Sequence, residues 1–230
     1  MSHIGPNASL QELNLFVVCG GLGALFAIRR LDRLRADLLD WVIFLITLAM
    51  MVSTVRSFAW VGIALIGLHC WRRCPDHGKA AGSILLALAI YGLKGTIWQG
   101  VLAFPVMAME ASVLAALISP LQGEAIADGH AVQLADGRTL VILRDCSVLN
   151  LLAPAILAML GVRQMLGHRS QGLLVPMLTL TVLVTLTNLG RLFGMAYSPE
   201  AYVFFHDGLG GDISVALIAS FTVMIAMPQR

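Results

Sequence analysis

Charge is what this chain most lacks. Only 12% of its 230 residues are Asp, Glu, Lys or Arg, against about 25% in soluble domains, so too little polar surface exists to keep it dissolved. The hydrophobic share is 58% and the mean hydropathy is +0.85. The formal charge of +2 is too small for a nucleic-acid-binding stripe. The basic residues fall instead in short clusters between apolar runs, the pattern of membrane topology. The opening stretch MSHIGPNASLQELN lacks the basic n-region of a cleaved secretory signal. Cysteine is scarce, and Cys19, Cys70, Cys74 and Cys146 form no disulfide framework. Neither an internal repeat nor a low-complexity linker breaks the chain, which reads as one integral-membrane domain over residues 1–230.

What is present is a series of apolar runs. A membrane-crossing helix needs about 20 such residues, and candidate spans lie at 12–28, 39–55, 57–71, 80–98, 145–162, 172–195 and 208–228. The basic clusters RRLDRLR (29–35), WRRCPDHGK (71–79) and VRQMLGHR (162–169), with Arg230, mark the cytoplasmic side. Parity then leaves an odd number of crossings between Lys79 and Leu121. Span 80–98 is taken as the crossing. The stretch 100–120, with Pro105, Glu110 and Pro120, becomes a re-entrant or interfacial helix, because a carboxylate at mid-bilayer is costly. The expected fold is an all-α polytopic membrane protein with about seven transmembrane helices, that extra helix and a small extracytoplasmic β-hairpin. Residues 12–120 hold the N-terminal helices, 121–144 the hairpin and 145–228 the last helices.

The hairpin is read from LQGEAIADGHAVQLADGRTLVILR, where HAVQL and TLVIL alternate and are joined at ADGR. Asp-Gly between two alternating runs is a strong hairpin signal. The segment feeds directly into DCSVLNLL.

This topology puts three residues on one side. Cys146 begins the span at 145–162, Arg191 lies near the outer end of 172–195, and His206 begins 208–228. At 1.5 Å per residue all three fall within about 10 Å of one membrane level. A thiolate is the nucleophile of cysteine chemistry, and a nearby cation favours it. An adjacent His takes the thiol proton and returns it to a leaving amine. Arg stays protonated, so it stabilises the thiolate or a developing oxyanion. Together they form a complete set for acyl transfer. Asn188, one turn before Arg191, either orients the guanidinium or bonds a neighbouring helix. Asp207 and Asp212 either orient His206 or cap the last helix.

The motifs DGHAVQLADGRTLVILRDCS (128–147), NLGR (188–191) and HDGLGG (206–211) resemble, in order and spacing, those of the exosortase/archaeosortase family of membrane cysteine transpeptidases. The likeness covers about residues 100–220; the first hundred match only as generic membrane helices. It implies Cys146 as nucleophile, Arg191 as cationic stabiliser and His206 as acid/base, with no metal and no organic cofactor. It further implies a prokaryotic inner membrane with the site on the extracytoplasmic side. The partner would be an exported protein ending in a short motif, a membrane helix and a basic tail, cleaved there and transferred to an acceptor. Val148 stands where the family usually has Gly, and Asp145 where it has a small residue. That departure motivates an alternative, a non-catalytic component of polysaccharide or surface-protein export.

Two further possibilities are weaker. His69, Cys70, Cys74 and His77 carry metal-ligand chemistry, but their spacing is tight, and Trp71, Arg72 and Arg73 read as an interfacial anchor. A transporter needs facing polar groups at mid-bilayer. The sequence offers TLTLTVLVTLTN, whose hydroxyls can bond their own helix, together with Lys94 and Gln99.

Overall fold

A computed structural model describes residues 22, 37–53, 55–73, 77–93, 101–166 and 172–227. Expectations for span 12–28, the cluster at 29–35, Cys19, Cys74, Lys94, Gln99 and Arg230 lie outside the described residues. The chain divides into two compact units, one of residues 1–92, 154–173 and 223–230, the other of residues 93–153 and 174–222.

In the first unit, α1 (Leu38–Val52), α2 (Arg56–Arg73) and α3 (His77–Gly92) pack in sequence. Asp37 and Asp40 start α1 by accepting each other's backbone N–H at 3.0 and 2.8 Å, which satisfies two donors that a helix start leaves open. Gly67 of α2 and Gly82 of α3 let the two backbones meet, because a Cβ on Gly82 would overlap the Gly67 carbonyl. His69 Nε2 pairs with Asp40 Oδ1 at 2.6 Å, tying α2 to the start of α1. Trp41, Phe44, Leu45 and Leu48 of α1 are exposed, as side chains facing lipid are.

The second unit holds α4 (Ala103–Gln122), a three-stranded sheet, the start of α5 (Val148–Met165), α6 (Leu174–Tyr197), α7 (Pro199–His206) and most of α8 (Leu209–Ala226). Helix α6 shows how a membrane helix sorts its faces. Leu180, Val184, Asn188, Leu192 and Met195 recur every three or four residues and are buried, while Val175, Leu178, Val182 and Leu186 are exposed. Thr181, Thr185 and Thr187 each donate to the carbonyl four residues back at 2.8 Å, so the threonine-rich stretch satisfies itself.

The strands β1 (Ile126–Asp128), β2 (Ala131–Gln133) and β3 (Thr139–Val141) form an antiparallel sheet in that order. The β2–β3 connection is the hairpin expected at ADGR. Gly137 N–H donates to Leu134 C=O, Leu134 N–H donates to Arg138 C=O, and Gly137 has φ +84°. This is a three-residue loop ending in a glycine bulge, the next most favoured hairpin after the two-residue type. The expected hairpin is thus extended by one strand, β1, which turns into β2 at Gly129, φ +57°. Arg138 then anchors the sheet to α6. Its Nη2 donates to the carbonyls of Ala196 and Tyr197 at 3.1 and 3.3 Å, the open end of that helix.

Among the described residues four helices are long and apolar enough to cross a membrane: α4, α5, α6 and α8. The expected seven are not reached. Helices α1 and α3 are apolar but run to only 15 and 16 residues, and α2 carries Arg56, Arg72 and Arg73 at its ends. The stretch 100–120 contributes one unbroken 20-residue helix, α4, about 30 Å long. The sheet lies along it. Phe104 in its first turn packs edge-on against His130 at 5.4 Å. Near its last turn, Ser119 Oγ accepts the Ala125 N–H at 3.1 Å. Met107, Ala111, Leu114 and Ile118 of α4 meet Val132, Leu140 and Ile142 of the sheet and Leu192 and Met195 of α6 in one core. Each fully buried Leu or Ile there contributes about 1.5–3 kcal/mol.

The last two elements differ from expectation. The stretch YSPEAYVFFHD is a helix of its own, α7, and His206 ends it instead of beginning α8. Ser198 caps α7 by accepting the Ala201 N–H at 3.1 Å, and Pro199 fills the first turn, where its missing N–H costs nothing.

Candidate functional site

Cys146 closes a single 3₁₀ turn, Arg144–Cys146, just before α5 begins at Val148. It is 4% exposed. Two polar groups from distant parts of the chain fix the backbone around it through three hydrogen bonds. Glu110 Oε1, from α4, accepts the Val148 N–H at 2.8 Å and an Asn188 Nδ2–H at 2.9 Å. Asn188 Nδ2, from α6, also donates to the Cys146 carbonyl at 3.0 Å. Both of its acceptors are oxygens, which settles the orientation of the Asn188 amide. Of the two roles open to Asn188, it takes the second: it bonds neighbouring segments, and its partners are Glu110 and Cys146 rather than the guanidinium.

This explains how a carboxylate sits in an apolar run. Glu110 is 4% exposed, and its α4 neighbours are core residues, but Oε1 serves two donors. The expectation that its charge places it at a membrane boundary rests on a cost that these bonds offset. Glu110 Oε2, Asn188 Oδ1 and Ser147 Oγ, all buried and all beside Cys146, have no protein partner. Such a cluster of unsatisfied atoms is uncommon in a folded interior.

Arg191, one turn beyond Asn188 on α6, donates from Nε to the carbonyl of Phe205 at 2.9 Å. That bond ties α6 to the end of α7, next to His206. A Cβ on Gly194 would overlap the Phe205 ring, so the glycine permits the close approach of the two helices. The His206 ring stacks on Tyr202 at 5.0 Å and 12°, and its Nδ1 lies 2.7 Å from Asp207 Oδ1. With a carboxylate accepting at Nδ1, the neutral imidazole carries its proton there and leaves Nε2 free as a base. Asp207 is therefore the histidine's orienting partner and the C-cap of α7, while Asp212 lies in the first turn of α8, where the helix dipole favours it.

The charges of Arg191, Asp145, Glu110 and Asp207 all act on the Cys146 thiol. Burial pushes this thiol above its usual range; Arg191 pulls it down, and Asp145, Glu110 and Asp207 push it further up. Arg191 and Asp145 act in the directions the sequence suggests, but burial outweighs the guanidinium. No hydrogen bond joins Cys146 Sγ to the His206 ring. Asn188 bonds the Cys146 turn directly, while Arg191 bonds the Phe205 carbonyl at the end of α7, next to the paired His206 and Asp207. Sequence reasoning missed Glu110 as a member of the cluster and Tyr202 as the face against His206.

The rival cluster is divided. His69 is taken by Asp40, Cys70 is partly exposed, and Cys74 lies outside the described residues. Comparison with protein-family models, with curated proteins and with solved structures finds no match.

Proposed function

We propose that this chain is an exosortase-like membrane cysteine transpeptidase or protease, cleaving a C-terminal sorting signal from exported proteins at the extracytoplasmic face of a prokaryotic inner membrane. The observation that carries the proposal is the Cys146 turn itself: a buried thiol, with its backbone held by Asn188 and Glu110, lies within the field of Arg191 and of Asp207, the carboxylate that pairs with His206.

In this proposal Cys146 Sγ attacks the substrate carbonyl and its proton passes to His206 Nε2. The new oxyanion is stabilised by Arg191. Collapse breaks the C–N bond, the leaving amine takes the proton from His206, and a thioester remains on Cys146. An acceptor nucleophile, or water, then attacks the thioester and releases the thiol. The absence of a Cys146–His206 hydrogen bond is compatible with this sequence, because catalytic bonds often form only with substrate in place.

The same proposal favours α4 as an interfacial helix. An open three-stranded sheet with Asp128 and His130 at one turn runs along α4 from Phe104 to Ser119. Lipid-exposed sheet edges do not occur in hydrocarbon. The outer membrane boundary then lies near Val148, Asn188 and Leu209, with the end of α6, the sheet and α7 above it.

A second reading has its own support. A thiol that is buried and raised, flanked by Asp145 and followed by Val148, suits a non-catalytic export component built on the same frame. C-terminal proteomics of envelope proteins separates the two. Cells carrying Cys146→Ala should accumulate full-length proteins that retain a hydrophobic span and a basic tail. Identical C-termini in wild type and variant, at equal protein level, leave the second reading.

A further inference from the structure

Among the described residues the sheet order β1–β2–β3 leaves one side of β3 without a neighbouring strand. The pairing register identifies its spare groups. Leu134 N–H donates to Arg138 C=O at 2.8 Å and Ile142 N–H to His130 C=O at 2.9 Å, so residues 138, 140 and 142 turn their backbone toward β2. Thr139 and Val141 therefore direct N–H and C=O the other way. An open groove of about 610 Å³ is lined by Thr139, Val141 and Leu143 of this strand and its continuation together with Ala196, Tyr202 and Val203 of α6 and α7. An acyl chain has nothing to offer main-chain groups that face away from β2. An extended peptide carries the matching donors and acceptors at the same repeat of about 3.3 Å.

Two residues of the groove lead toward the candidate reacting groups. Tyr202 lines it and stacks on His206. Leu143 lines it and leads into the turn that ends at Cys146.

We propose that β3 is the docking strand for the protein substrate, which adds to the sheet as a fourth strand along Thr139 and Val141. This inference rests on the transpeptidase proposal above, which also sets the direction. The leaving half of a sorting signal returns to the bilayer, so the half available to a groove built on the sheet is the acyl side. To present its carbonyl to Cys146, it runs parallel to β3. Val141 lies about 13 Å of extended and 3₁₀ chain from Cys146, the span of about four extended residues. Recognition then depends on main-chain length and register, with alternate side chains facing the apolar groove walls.

The test uses the full chain in detergent and acetyl-peptidyl chloromethyl ketones of alternating valine and alanine, from two to six residues. Labelling of Cys146 is followed by intact mass, and iodoacetamide serves as the probe of thiol reactivity alone. Ketones of five and six residues should label faster than those of two or three, by about fivefold for each strand hydrogen bond gained. N-methylation should abolish that gain at alternate amides only. Val141→Pro removes one spare donor without touching the β2 ladder, a position where an edge strand tolerates proline. It should erase the length dependence and leave the iodoacetamide rate unchanged. Labelling independent of length, or equally sensitive at every amide, overturns the docking strand while leaving the transpeptidase proposal standing; the N-methyl series decides this even if Val141→Pro fails to fold. A Val141→Cys variant that cross-links efficiently to a second copy assigns the edge to self-association and also overturns it. Failure of both the ketones and iodoacetamide to label Cys146 in the folded protein removes the transpeptidase proposal and the docking strand with it.

Discussion

Replacing Glu110 tests whether the Cys146 turn is held as its geometry implies. Glu110→Ala strips the acceptor from two buried donors, Val148 N–H and Asn188 Nδ2–H. Each buried donor left unpaired costs about 1–3 kcal/mol, so the variant should lose roughly 4 kcal/mol. Glu110→Gln keeps an oxygen that accepts both bonds and should lose about 1 kcal/mol by the same reasoning. At about 2–4 °C per kcal/mol for a chain of this size, the thermal midpoint in detergent should fall by roughly 10 °C for Ala and by only a few degrees for Gln. Asn188→Ala should be non-additive with Glu110→Ala, because both remove the same bond; coupling of about 0.5–3 kcal/mol is usual for such neighbours. An alanine variant within about two degrees of wild type, no more than the shift for about 1 kcal/mol, refutes the clamp. So does a glutamine variant as damaged as the alanine one.

Other perturbations read separate contacts. The raised Cys146 thiol holds its proton at neutral pH, so the iodoacetamide rate should keep rising with pH beyond the range of a free thiol. Asp145→Asn should move that profile to lower pH and Arg191→Gln to higher pH; opposite shifts contradict the electrostatics. Arg138→Ala frees the carbonyls of Ala196 and Tyr197, and an exposed contact of this kind costs about 1 kcal/mol or less. Hydrogen exchange should quicken at the β2–β3 loop and the end of α6 but not in α1–α3. Gly194→Ala pushes Phe205 off α6 and with it the carbonyl that holds Arg191. Processing should fall at least tenfold if about 1.4 kcal/mol of positioning is lost, with a stability cost of about 1–3 kcal/mol. Unchanged processing separates Arg191 from the chemistry.

The parts of the fold legible in the sequence are those set by local chemistry. The Asp136–Gly137 turn, the alternation of β2 and β3 and the self-satisfied threonines of α6 follow from neighbours a few residues apart. Helix α7 also has a local signal, Ser198 followed by Pro199, but it lies between two apolar runs and is too short to stand out from a connection. β1 reads Ile-Ala-Asp and lacks the apolar alternation of HAVQL and TLVIL, although Asp128-Gly129 marks its turn. Glu110 shows what no local pattern carries. Its partners lie 38 and 78 residues away, so the sequence displays the cost of the carboxylate without the bonds that offset it. The choice of Cys146, Arg191 and His206 as candidates follows from spacing and resemblance. The burial that raises the thiol is a property of packing and had no signature in the motif.

The most direct test of the central claim is intact mass spectrometry of the protein purified rapidly from acid-quenched membranes that also contain its exported partners. The account predicts a peptidyl adduct on Cys146, released by neutral hydroxylamine as a thioester is, and absent from Cys146→Ala. A Cys146 that stays unmodified in membranes where C-terminal trimming proceeds at the wild-type rate would contradict it.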